Sequence, residues 1–456
     1  MWRRLNPWAD LPNARAVWAW GMYDLANQSF QLFINTLLYS LFVVEVLAPN
    51  PERGRWLWSA MISASLAIVA VVSPFAGALA DLRAWKREML LTTGVVCAAC
   101  TASLAALAPG QEWLGFALYL VAAVACGLGE NFLGSFLPEI ASRARVGYVS
   151  ALGWTMSYVG ALLLLVVAAL YCFVLGREHP SQARPLFAFA GVWFAAGIVP
   201  AAVWLRERST ARPGTLTGAM TGAISRLAQS ARESRSYRDL SRFFLAFFVY
   251  SMGTLTMVFF LGVISNDLGF ELRGSVLLAL VISLTAGGAA AVTARVQDRV
   301  GHARTVSFFL VCWITATLLM AGANAASVGE WAYWVLAALV GVALGGVGTS
   351  SRAMVGAFTP EARAGEFFGL WGTIYKLAGI AGVIAFGAAR NLAGLPAALV
   401  LTAGVFGGGL LLLRRVDEAA GLRRASGDAD NAGSEHVGTE RGGTGPGSAG
   451  GGAGVS

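Results

Sequence analysis

Runs of about twenty apolar residues recur along this chain, and that recurrence excludes most folds at once. Twelve are placed, at about 18–47, 57–80, 88–108, 113–136, 148–175, 186–205, 241–266, 274–296, 304–325, 331–353, 366–389 and 393–413. Hydrocarbon offers backbone N–H and C=O groups no water, so each run must satisfy its own hydrogen bonds as a helix. With 57% hydrophobic and only 13% charged residues, the sequence predicts an all-α polytopic membrane protein with 12 transmembrane helices. The apolar stretch of the first run is too long, and too polar inside, for a cleavable signal.

The basic residues predict orientation. With the N-terminus on the cytoplasmic side, 26 of the 33 Lys and Arg fall in cytoplasmic segments, six in outer loops, and Lys376 inside a span. A bias that alternates over twelve spans is a positive-inside signature, with both termini cytoplasmic. The net charge of +8 therefore reports orientation; it gives no support to a nucleic-acid partner. The arginine excess, 31 Arg against 2 Lys, points to a GC-rich prokaryote and so to a bacterial-type inner membrane. Trp56, Trp58, Trp113, Trp331 and Trp334 stand at outer span ends and Trp204 at an inner one, as interfacial anchors do.

The halves repeat. Gly77-x3-Asp81 with Lys86-Arg87 ends span 2, and Asp298-Arg299-x-Gly301 with Arg304 ends span 8, 217 residues on from Asp81 to Asp298. Ser135-Phe136-Leu137-Pro138-Glu139 leaves span 4, and Ala357-Phe358-Thr359-Pro360-Glu361 leaves span 10, 222 residues later. Both echoes lie on the same side, so six spans are followed by six in parallel, with a site expected between them near the midplane. The expected units are an N-terminal bundle over 1–205, an arginine-rich cytoplasmic linker over 206–240, a C-terminal bundle over 241–415 and a disordered glycine-rich tail over 416–456. An amphipathic helix on anionic lipid around 224–235 and a plain solvated linker are both compatible with that linker.

The first span is wet on one side. Asp24, Asn27, Gln28, Gln31 and Asn35 fall within an arc of about 100° on an α-helix, with Glu45 near its edge. Such a face inside a membrane lines a water-filled path or a solute cavity. These five residues and Lys376, about ten residues into span 11, are the candidate substrate or ion contacts. Asp24 reads either as a coupling-ion or ammonium site or as a fixed helix–helix hydrogen bond; Lys376 either neutralises an acidic solute group or pairs with a carboxylate. A lipid-facing charge costs about 2.5–3.5 kcal/mol at the helix centre on insertion scales. Asp24, Glu130, Arg352 and Lys376 must therefore face water or one another. All five cysteines lie in spans, and Cys97-x-x-Cys100 reads as packing rather than a metal or redox pair.

The span 2 and span 8 loops resemble the inter-helix signature of the major facilitator superfamily, with Ala84 replacing its second glycine in the first copy and Ala294 its leading glycine in the second. Trp20-x2-Tyr23-Asp24-x-Ala26-Asn27, Asn131 to Pro138 with Ser150-Ala-Leu-Gly153 and Ser157-Tyr158-x-Gly160, and Ser351-Arg352 with Glu366 to Leu370 and Lys376 are together similar to its vacuole-effluxer-like branch. That branch is related to the fungal autophagy-associated amino-acid effluxer. Leu25 and Gln28 depart from the branch pattern. The resemblance implies a major facilitator fold with spans 1, 4, 7 and 10 around the cavity. It implies a gate between Glu130 and Arg352, and a conformational latch of Asp81, Lys86 and Arg87 with Asp298 and Arg299.

No phosphate-binding loop of the Gly-x4-Gly-Lys-[Ser/Thr] type occurs, and His179, His302 and His436 assemble no catalytic or metal group, so an enzyme is not expected. The expectation is a monomeric secondary transporter that moves a small polar or zwitterionic solute, amino-acid-like by resemblance. It uses no cofactor, with H+ or Na+ as the coupling ion. Alternatives are a lipid or cation-coupled sugar symporter on the same fold, or a membrane receptor or scaffold acting through the linker.

Overall fold

The computed structural model describes residues 11, 13–141, 146–208, 237–359 and 364–423, with isolated positions between 209 and 236. Eleven helices there are long and apolar enough to cross a membrane. In chain order these are α1 (Ala14–Leu47), α2 (Pro51–Arg83), α3 (Lys86–Ser103), α4 (Glu112–Ser135), α5 (Val146–Val174), α6 (Arg184–Trp204), α7 (Arg238–Phe259), α8 (Leu272–Val300), α9 (His302–Ala325) and α10 (Trp331–Phe358), then a last unbroken assignment over Ala364–Leu413. Fifty helical residues would run about 75 Å, far beyond a bilayer. Gly394, at φ 85° ahead of Pro396, breaks that stretch. The two parts, α11 (364–393) and α12 (395–413), double back: Trp371 and Tyr375 stack on Phe247 of α7, while Gly409 meets the adjoining Tyr250. The twelve expected spans are thus present as an all-α bundle.

Helix ends follow simple capping chemistry. Asn50 accepts from the Arg53 N–H and precedes Pro51, a proline at the first turn where no N–H is missed. The α2–α3 turn passes through Ala84 in the left-handed region (φ 53°, ψ 51°), and the α8–α9 turn through Gly301 (φ 97°). These two positions are 217 residues apart, the spacing of the loop echo.

The halves are tied on the face opposite the termini. Asp267, just after α7, pairs with Arg55 of α2 (3.8 Å) and Arg390 of α11. Asn266 donates to Glu45 (2.7 Å), Trp58 donates to the Phe259 carbonyl (2.8 Å), and the Leu272 N–H donates to the Glu178 carbonyl (2.9 Å).

One expected boundary shifts. Residues 416–423, assigned from sequence to the disordered tail, instead dock on the second bundle. Glu418 accepts from the N–H groups of His302 (2.7 Å) and Ala303 (3.1 Å), because a carboxylate satisfies donors that the start of a helix leaves orphaned. Residues 424–456 and most of the expected linker, including most of the amphipathic stretch at 224–235, lie outside the described residues.

Candidate functional site

The wet face of α1 is not built on a regular helix. The α-helix over Ala14–Gln28 gives way to π turns over Ser29–Leu37, then to Leu38–Phe42 and a second π stretch over Val43–Leu47. Thr36 Oγ1 donates to the Gln31 carbonyl five residues back (2.8 Å), occupying an acceptor within the widened turn. Such turns recur at functional positions because they re-aim side chains. Here they split the stripe. Asn27, Gln31 and Asn35 form one row toward α4, while Gln28, Leu32 and Thr36 form another that lines a separate cavity of about 210 Å³.

The first row converges on Glu130. Its Oε1 accepts from Gln31 Nε2 (2.6 Å) and Asn27 Nδ2 (3.0 Å). Gln31 Oε1 accepts from Asn35 Nδ2 (2.8 Å), and Asn35 Oδ1 from the Tyr119 hydroxyl (2.9 Å). Cys126 Sγ–H donates to Asn27 Oδ1 (3.1 Å), which fixes the amide so that its nitrogen faces Glu130. Every amide in the chain therefore has one orientation set by its neighbours, while Glu130 itself remains exposed between the halves. A carboxylate hydrogen-bonded by amide donors is able to exchange them for a cationic group.

Asp24 sits apart from this row. Its Oδ2 accepts from Ser157 of α5 (2.6 Å). Gly160 makes that possible: a β-carbon there would stand 2.4 Å from the Leu25 carbonyl, so only glycine lets α5 lie this close to α1. The guanidinium of Arg352 on α10 acts electrostatically on Asp24, and the ammonium of Lys376 on α11 acts on Glu130. Lys376 also donates to Asn131 Oδ1 (3.2 Å), whose Nδ2 donates to Ser73 (2.7 Å). The hydrogen bond from Lys376 to Asn131 thus joins the second half to the first at this site. Glu130 is held by the α1 amides, and no hydrogen bond or ion pair between it and Arg352 occurs among the described residues.

Gln28 lies outside that row. It faces the cavity of about 210 Å³ between α1, α5, α7, α8, α9 and α10, with Ser157, Met257, Ile282 and Trp313 among the walls. The cavity is mostly apolar and adjoins Asp24 through the shared Ser157.

At the latch, Lys86 bridges Asp81 (3.4 Å) and Glu139 (3.1 Å). Arg87 donates to the carbonyls of Leu205 (2.9 Å) and Ala202 (2.5 Å) at the end of α6, and its N–H donates to Glu207 (3.1 Å). Asp81 thus faces a lysine of its own loop, not a neighbouring helix start. In the second copy Arg299 is exposed and the side chain of Asp298 lies outside the described residues. Sequence reasoning missed Ser157, Asn131 and Cys126. The first two sat in quoted motifs without a role, and Cys126 contacts Cys97 across α3 and α4 where sequence offered only Cys100. No cluster able to hold a metal occurs among the described residues.

A family model described as vacuole effluxer Atg22 like matches residues 58–147 and 143–426. A protein of Bacillus subtilis (strain 168), described as the uncharacterized MFS-type transporter YxiO, is 24% identical over 392 residues, 82% of this chain and 88% of that protein. Autophagy-related protein 22-1 of Penicillium rubens is 26% identical over 260 residues, 53% of this chain and 44% of that protein. Among solved structures, a D-xylose-proton symporter superposes with a TM-score of 0.68 at 13% identity, covering 89% of this chain and 98% of that one. The nucleoside transporter NupG superposes with a TM-score of 0.64 at 14% identity, covering 88% and 98%. These likenesses show the fold, a major facilitator arrangement.

Proposed function

The chain belongs to the vacuole effluxer Atg22-like family and is a multi-pass membrane transporter rather than an enzyme; from that premise we propose that it moves a small zwitterionic, amino-acid-like solute by alternating access. One observation carries the reading. Both carboxylates of the central site, Asp24 and Glu130, come from the first half, and both cations, Arg352 and Lys376, come from the second. A solute with an ammonium and a carboxylate matches that polarity across the interface, ammonium toward Glu130 and carboxylate toward Lys376. Binding then draws on both halves at once, so each state that grips the solute differs from the empty one in how the halves meet. The adjoining apolar cavity gives the solute's side chain a place beside Gln28.

Asp24 is assigned the coupling ion, H+ or Na+. Held by one hydroxyl and facing one distant cation, it loses little when it takes up a proton or metal ion. The positive-inside bias orients the tied face outward, at a bacterial-type inner membrane, and leaves both termini cytoplasmic. Asp81, Lys86 and Arg87, with Asp298 and Arg299, serve as the latch on the cytoplasmic face. The contacts of Asp267 with Arg55 and Arg390 hold the opposite side shut.

Proteoliposomes loaded with a labelled neutral amino acid test the reading. The protein should move the label, and Lys376→Gln should weaken apparent affinity about tenfold or more, the scale of a lost charge-assisted contact. Asp24→Asn should abolish gradient-driven accumulation while preserving downhill exchange. Accumulation unchanged by Asp24→Asn sinks the coupling role; a Lys376→Gln protein with unaltered affinity sinks the zwitterion polarity.

A further inference from the structure

The loop between α8 and α9 and the segment after α12 enclose a cleft of about 730 Å³ on the termini face. Arg299, Arg304, Arg414 and Arg415 line it, and all four are exposed. Among the described residues, no guanidinium of the four is hydrogen-bonded or ion-paired. The acids of the same cleft are already engaged: Glu418 by the N–H groups of His302 and Ala303, and Asp417 by that of Ala420 (3.0 Å). Four guanidiniums around one cleft repel one another unless an anion sits among them.

The repeat supplies a control. At the equivalent place in the first half, Lys86 is consumed by Asp81 and Glu139, Arg87 by the end of α6, and Arg208 by Asn13 (3.0 Å). The first half closes its basic cluster with its own groups; the second leaves its cluster facing outward. Arg299 ends a membrane helix, Arg304 begins one, and Arg414 and Arg415 follow one directly, which puts all four at the depth of lipid headgroups. Val300 and Leu422, 44% and 41% exposed, add apolar surface at the same cleft. Guanidinium groups bind phosphate through paired N–H donors, and basic pockets between membrane helices take anionic headgroups.

We infer that this cleft binds the phosphodiester headgroup of an anionic phospholipid, tying the α8–α9 loop to the end of α12. The inference stands on the membrane fold and not on the identity of the solute.

Native mass spectrometry of the delipidated full-length protein tests it, with phosphatidylglycerol, phosphatidylcholine and inorganic phosphate as separate titrants. Phosphatidylglycerol should bind at least about tenfold more tightly than phosphatidylcholine. Arg304→Gln with Arg415→Gln should remove that preference and leave phosphatidylcholine binding as it was. Equal binding of the two lipids overturns the site, as does a preference that survives the double variant. Inorganic phosphate competing as strongly as the lipid makes it a soluble-anion site and overturns the headgroup assignment. If the glutamine variant does not fold, Arg304→Lys with Arg415→Lys keeps the charge and removes the paired donors. Undiminished preference there overturns the site equally.

Discussion

Ala84 stands where a residue with a β-carbon is least comfortable. Its left-handed backbone (φ 53°, ψ 51°) costs a non-glycine residue about 1–2 kcal/mol. The sequence pattern expects glycine there, and the turn geometry explains why. Ala84→Gly should relieve that strain against a smaller entropic cost, for a net gain of about 0.5–1 kcal/mol, seen as a higher melting temperature of the purified protein. Its counterpart Gly301, at φ 97° and ψ 142°, lies in a region essentially reserved for glycine, and a β-carbon there would meet Glu418 Oε2 at 3.1 Å. Gly301→Ala should lower stability by about 1–3 kcal/mol. Equal and same-signed shifts in the two melts would contradict the turn argument. At this scale the sequence displayed the polar residues within the spans well but not how they meet. Asp24, Asn27, Gln31, Asn35, Glu130, Arg352 and Lys376 were legible because polar groups in apolar spans stand out. Which acid meets which cation depends on the rotation of α10 and α11, and no periodicity encodes that.

α1 shows what a helix-period reading leaves out. A wheel at 100° per residue puts Gln28 among its polar neighbours, yet the π turns over Ser29–Leu37 separate Gln28, Leu32 and Thr36 from Asn27, Gln31 and Asn35. Those turns are held by tertiary partners such as Ser29 on the Ala190 carbonyl (2.9 Å) and Tyr119 on Asn35, so the local sequence carries little sign of them. The position of α5 is more readable, because it follows from small residues. Gly153 meets the Trp20 ring and Gly160 the Leu25 carbonyl, which sets the spacing of α5 from α1. Gly160→Ala should force α5 outward and lengthen the 2.6 Å bond from Ser157 to Asp24. Overpacking of this kind costs about 1–3 kcal/mol. The measurable outcome is a lower melting temperature together with weaker gradient-driven transport. A variant with the parental melt would mean that α5 is free to shift, and the close approach would then have no bearing on Asp24.

Among the described residues, ion pairs join the two halves on one face, and a transport cycle must undo them. Asp267 keeps only 10% of its side-chain surface exposed between Arg55 of one half and Arg390 of the other. Glu45 and Asn266 join the halves beside it. The repeat, the loop echoes and the count of spans were legible because each leaves a pattern in one dimension. This fastening was not, since its members come from helix ends far apart in sequence, 221 residues between Glu45 and Asn266 and 123 between Asp267 and Arg390, and the sequence placed the gate at Glu130 and Arg352 on the other side. If the halves must part here once per cycle, a covalent tie at the same point must stop the cycle without touching the solute site. Glu45→Cys with Asn266→Cys, bridged by a short bis-methanethiosulfonate reagent, supplies one, because the parent side chains meet at their tips, 2.7 Å apart. The native cysteines all lie within membrane helices, so single-cysteine variants treated alike suffice as controls. Cross-linking of the double variant should halt solute exchange in proteoliposomes, reductant should restore it, and solute should still stabilise the cross-linked protein against heat. Exchange continuing through a fully cross-linked protein would show that the two halves need not separate on this face, and alternating access about this contact would be wrong.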